Sequence, residues 1–167
     1  MFRRAYDITE IDLSNFDTSQ IINMGGLFLF CSSLTSINFG NFDTSKVTAM
    51  HVMFSGCSSL TSINLSTFNT SQVLRMEGMF KNCLALTSLN VSNFDTSQVT
   101  EMYDMFYNCP LLTSLNLSNF IISNVTNMKN LFSGCTNLSY INLEKFDGTK
   151  LLNYTNLFYK VPDNAII

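Results

Sequence analysis

The apolar positions of this chain fall into one short pattern that returns every 26 residues. In the unit Leu34–Ser59, the opening LTSINF places apolar side chains at Leu34, Ile37 and Phe39. Ile37 and Phe39 are two apart, so in an extended segment they share one face while Asn38 points to the other. The equivalent triplets are INL at Ile63–Leu65, LNV at Leu89–Val91, LNL at Leu115–Leu117 and INL at Ile141–Leu143. This pattern predicts short parallel strands stacked into one ladder. The period then changes. In SKVTAMHVMF, Val47, Met50, Met53 and Phe54 fall at i, i+3, i+6 and i+7, which predicts a short helix. Its start is expected near Asp43–Ser45, where side-chain oxygens cap free amides. Its end is expected at Gly56 and the equivalent Asn82, Asn108 and Gly134, residue types that tolerate the left-handed conformation closing many helices. Phe30 departs from that series, so the first helix is expected to end differently.

The register runs through the whole chain. Cysteine recurs at Cys31, Cys57, Cys83, Cys109 and Cys135. One phenylalanine column runs Phe16, Phe42, Phe68, Phe94, Phe120, Phe146, and a second runs Phe2, Phe28, Phe54, Phe80, Phe106, Phe132, Phe158. Met24, Met50, Met76, Met102 and Met128 form another, closed by Tyr154. A single such unit cannot bury its apolar face, whereas stacked units can. The expected architecture is therefore an α/β repeat: a right-handed β/α solenoid of about six 26-residue coils, strands on one face and short helices on the other. Residues 1–167 read as one solenoid domain, with a partial coil at 1–7, repeats over 8–158 and a C-terminal cap at 159–167.

Two phrases carry a family resemblance. LTSINFGNF at Leu34–Phe42 resembles the core of leucine-rich repeats, with Phe42 where those repeats usually have Asn. The longer LTSLNVSNFDTSQVTEMYDMFYNC at Leu86–Cys109 resembles the 26-residue repeat of BspA-like leucine-rich-repeat surface proteins of bacteria and mycoplasmas. The match extends from about Ile8 to Phe158, although many members have Trp before DTS and this chain has no Trp. The resemblance implies display at a cell surface, and adhesion to host or matrix molecules for some members. It implies no catalytic residue.

Composition narrows the function further. The formal net charge of −3 and the absence of a basic run argue against nucleic acid. No apolar run reaches the roughly 18 residues that a membrane span needs. MFRRAYDITEI lacks the apolar stretch of a signal peptide. Five cysteines at a 26-residue spacing match no zinc signature, so no metal or cofactor is expected. A buried, reduced cysteine ladder is expected, while bridging between neighbouring coils stays open. The single histidine, His51, reads as helix surface, and Glu101 with Asp104 as a solvated helix turn. Asp17, Asp43, Asp95 and Asp147, with Asn69 and Ile121 in the same column, read as capping residues rather than calcium ligands. Asn64, Asn69, Asn90, Asn116, Asn124, Asn137 and Asn153 begin Asn-x-Ser/Thr triplets, which a chain rich in these residues forms without selection.

With no catalytic constellation, the chain reads as non-enzymatic. The candidate contact surface is the strand face: Ser36, Ser62, Ser88, Ser114 and Tyr140 in one column, Asn38, Asn64, Asn90, Asn116 and Asn142 in the other. Its partner is expected to be a protein or glycan at a host or matrix surface, with Tyr140 as the anchor. Stacked asparagines hydrogen-bonding along the ladder are the structural alternative for the same residues. Two rival functions remain: a spacer without a ligand, and an ice-binding surface. The N-terminal edge, entered mid-repeat, adds end-to-end self-association as an expectation.

Overall fold

The computed structural model describes residues 2–167. Met1, the first residue of the expected partial coil, lies outside the described residues. The chain winds through successive coils around one continuous apolar core. Its axis is a stack of phenylalanine rings: Phe2, Phe28, Phe54, Phe80, Phe106, Phe132 and Phe158 follow one another at centroid separations of 5.4–5.9 Å, all within 11° of parallel. The methionine and cysteine columns are buried beside it, as are Phe42, Phe68, Phe94 and Phe120. Aromatic faces stacked in register add to the burial energy of each ring. This is why one residue type recurs at one position.

The expected helices are not formed: no residue among those described is helical. Each coil instead passes through consecutive tight turns. Leu27 N–H donates to Met24 O at 3.2 Å and Cys31 N–H to Phe28 O at 3.1 Å, with the same pair repeated in later coils. The cause lies in the backbone. Gly26, Val52, Gly78, Asp104, Asn130 and Asn156 all have φ between 46° and 64°, and four residues on Phe30, Gly56, Asn82, Asn108, Gly134 and Lys160 are left-handed again. A left-handed residue every fourth position cannot propagate a right-handed helix. Phe30 does not end its coil differently, as the pattern suggested; it takes the same conformation at φ 60°. The apolar spacing that mimicked a helix marks the inward residues of the turns.

Hydrogen bonds that a helix would make internally run between coils. Phe28 N–H donates to Met53 O, and Phe54 N–H to Met79 O, each at 2.9 Å, and this continues to Phe132 and Leu157. Beside them a parallel ladder links Asn23, Ala49, Arg75, Glu101, Asn127 and Asn153. The continuous ladder of this solenoid is therefore on the turn face.

The strand face is less regular than the single ladder expected. β1 (Glu10–Asp12) pairs in parallel with β2 (Ser36–Asn38), and β3 (Ser114–Asn116) with β4 (Tyr140–Asn142). Between these pairs, residues 62–64 and 88–90 keep the register but form no strand. At the first of these junctions, Phe39 takes the place of Leu65, Val91 and Leu117 and packs edge-on against Phe68 at 4.9 Å, a bulkier contact than the aliphatic residues of the later coils make. At the far end Ile166 pairs with Tyr140, covering the outer edge of β4.

Candidate functional site

The DTS phrase holds the coils together. Its threonines, Thr18, Thr44, Thr70 and Thr96, are buried. Thr70 Oγ1 donates to Asp95 O at 2.9 Å and accepts from Asp95 N–H at 2.8 Å, and Thr44 and Thr96 do the same to Asn69 and Ile121. One hydroxyl thus replaces a pair of ladder bonds. The acidic column before it caps turns. Asp17, Asp43, Asn69, Asp95 and Asp147 each accept the amide of the residue two ahead, at 2.8–3.1 Å. Bonds from the hydroxyl and amide of Ser19 and of Ser97 hold the Asp17 and Asp95 carboxyls below the ordinary range. Ile121, in the same column, has its amide held by Thr96. These residues have structural work, and it is turn capping rather than helix capping.

All five cysteines are free and buried. Each thiol donates to the carbonyl of a phenylalanine 29 residues earlier, as Cys57 Sγ does to Phe28 O at 3.3 Å. That carbonyl already accepts Cys31 N–H within its own turn, so the thiol joins two coils. Burial pushes the Cys57 thiol up to about 12 and Cys135 up to about 11, and raises the other three.

On the strand face, Ser36, Ser62, Ser88, Ser114 and Tyr140 are exposed, as are Asn38, Asn64, Asn90 and Asn116; Asn142 is half-buried. The asparagine oxygens are committed. Those of Asn38, Asn64, Asn90, Asn116 and Asn142 accept the amide two residues ahead at 3.0–3.1 Å. No asparagine ladder runs along this face; Asn38 Nδ2 donates to Asp12, and the other side-chain amides are left outward. The serine hydroxyls of the column likewise have no partner among the described residues. Where the strands part, a groove of about 340 Å³ is lined by Ser62, Ser88, Asn90, Ser114 and Asn116. A second depression, beside Tyr140, is lined by Asn142, Glu144, Ile166 and Ile167.

The turn face carries the chemistry that the repeat reading passed over. Two columns on this face change residue type along the stack: Gly25, His51, Glu77, Tyr103, Lys129, Thr155 and Leu29, Ser55, Lys81, Tyr107, Ser133, Tyr159. The signal for them was present as positions where the 26-residue register holds but the residue type does not. His51 is not open helix surface. Its ring lies over Gly25, where a β-carbon would collide with it, and its Nδ1 is buried without a partner. Glu77 is 3% exposed; one carboxylate oxygen is paired with Arg75 and Oε2 has no partner. Burial, then the Glu77 charge, raises the Tyr103 phenol. Glu101 and Asp104 do not meet on a helix turn. Asp104 is left-handed and pairs with Lys81 at 2.7 Å.

No curated protein matches the chain. Among solved structures, it is similar to the leucine-rich repeat protein of T. pallidum (TpLRR), with a TM-score of 0.59 at 21% identity over 98% of this chain and 70% of that one. That likeness shows the fold, a leucine-rich-repeat solenoid. The family model described as "Mycoplasma protein of unknown function, DUF285" matches residues 1–110 and 85–164, and the chain belongs to that family.

Proposed function

We propose that this protein is a non-enzymatic binding module displayed at a cell surface, with the strand face as its contact surface. The observation that carries the reading is the groove across residues 62, 88, 90, 114 and 116. There, hydroxyls and side-chain amide donors from three coils face outward with no protein partner, beside backbone left unpaired between parted strands. When a partner docks, such groups exchange water for partner hydrogen bonds, each worth a net of roughly 1 kcal/mol. The uncharged array suits an extended protein segment or a glycan of a host or matrix surface, and Tyr140, 42% exposed, adds an aromatic anchor at one end. The similarity to bacterial leucine-rich-repeat proteins supports surface display. No helix is long and apolar enough to cross a membrane.

The test is binding of the purified protein to immobilised matrix proteins, glycans and host cells, beside a Ser88→Arg, Tyr140→Ser variant. Neither side chain makes a protein hydrogen bond, so the variant keeps the fold. Saturable binding that the variant loses supports the reading. Absence of binding by a folded protein moves the function to a spacer.

A further inference from the structure

The turn face of the last three coils contains a cleft of about 430 Å³, within the usual range for small-ligand sites. Two lysines, Lys129 and Lys160, and two tyrosines, Tyr107 and Tyr159, line it, and no carboxylate does. In a chain of net charge −3 this is a local concentration of positive charge. Neither ammonium pairs with a carboxylate among the described residues. The nearby acid, Asp104, is paired with Lys81 at 2.7 Å and accepts a hydrogen bond from Asn130 Nδ2 at 2.9 Å.

The uncharged groups of the cleft select further. Asn108 donates one Nδ2 hydrogen to Asn82 Oδ1 at 2.9 Å and Asn130 donates one to Asp104, while neither amide oxygen has a partner among the described residues, so both oxygens are free to accept. Ser133 is 4% exposed and its hydroxyl has no protein partner. Gly134 lets the two coils approach closely here, since a β-carbon would stand 3.2 Å from Asn108 Cα. Tyr159 is 57% exposed, with Lys160 Nζ 5.5 Å from its ring centre. Ammonium groups call for an acid, amide oxygens call for hydroxyl donors, and an aromatic ring calls for an apolar face. A bare phosphate or sulfate answers the first alone, and a neutral sugar answers the other two.

We propose that this cleft binds an acidic saccharide, its carboxylate or sulfate on Lys129 and Lys160, its hydroxyls on the amide oxygens of Asn108 and Asn130, and a sugar face on Tyr159. The site is on the opposite face from the proposed docking surface and stands independently of it.

Isothermal titration tests the proposal with four probes: a hyaluronan tetrasaccharide, a heparin-derived tetrasaccharide, neutral chitotetraose and inorganic sulfate. Saturable binding of at least one acidic tetrasaccharide is expected, with chitotetraose and sulfate each about tenfold weaker or more, the scale of lost charge-assisted contacts. The first two probes separate a carboxylate ligand from a sulfated one. Lys129→Gln with Lys160→Asn is expected to weaken binding about tenfold or more. Asn is chosen because residue 160 is left-handed, at φ 65°. Gln72→Ala, at an exposed residue outside both surfaces, is expected to change nothing. Failure of both acidic probes at millimolar concentration, equal binding of chitotetraose, or undiminished binding by the folded double variant would each overturn the assignment.

Discussion

Replacing Thr70 by Val removes one oxygen and keeps the shape, so it isolates the threonine tie between coils. Thr70 is 1% exposed, and its hydroxyl makes two bonds, to Asp95 O at 2.9 Å and from Asp95 N–H at 2.8 Å. The isosteric methyl leaves no cavity, so the cost is that of the lost bonds and of two backbone groups left unpaired. A net hydrogen bond is worth roughly 1 kcal/mol, and an orphaned buried group costs roughly 1–3 kcal/mol. Asp95 itself is exposed, which lets water reach part of the broken pair. We expect a loss of about 2–3 kcal/mol for Thr70→Val on this basis. Equilibrium urea unfolding gives the total, and hydrogen exchange of the Asp95 amide gives the local opening, which matters because solenoids lose cooperativity along their length. The native chain contains a natural comparison. Ile122 occupies the threonine position of the fifth coil, and the Asp147 amide turns to Lys145 O instead. A change below about 0.5 kcal/mol, with Asp95 exchange unaltered, would refute the assignment of the phrase to coil joining.

Other expectations follow from the same geometry. Val52 is held at φ 46°, a conformation costly for a β-branched residue, so Val52→Asn is expected to raise stability by about 0.5–1 kcal/mol in urea unfolding. The raised thiols predict a pH dependence. Each folded-state value lies above the unfolded value of 9.0, so the folded protein holds protons that the unfolded chain releases. Their contribution is complete below pH 9.0 and is lost as pH rises toward about 12, the value reached by Cys57, so urea midpoints should fall across that window. A thiol reagent at neutral pH should leave all five cysteines of the native protein unmodified and label them on unfolding; rapid native labelling would contradict their burial.

How much of this was legible in the sequence depends on how local the cause is. The interior was fully legible, because stacked coils must place like residues over like: the Phe28 and Cys57 columns needed only a ruler. The turn-for-helix substitution was half legible. The left-handed column at Gly56 and Asn82 is marked by residue type at the end of the apolar pattern, whereas its companion at Gly26, Gly78 and Asn130 sits inside an apparent helix whose apolar spacing outweighs it. The threonine tie left no local trace, since its partner lies 25 residues ahead. The parting of the strands leaves no local trace, since Ile63–Leu65 and Leu89–Val91 carry the same alternation as the paired Leu115–Leu117. The turn-face cleft is not marked by periodicity, since Tyr107, Lys129 and Tyr159 stand in columns whose residue type changes along the stack.

The central claim is that the coils are joined continuously along the turn face while the strand face stands open between its two strand pairs. Amide hydrogen exchange resolved by residue tests it most directly. The account predicts strong protection at Phe54, Phe80 and Phe106, whose amides bind the next coil at 2.9–3.1 Å, and rapid exchange at Ser62–Asn64 and Ser88–Asn90. Protected amides at Ser62–Asn64 and Ser88–Asn90, with labile ones at the three phenylalanines, would contradict it.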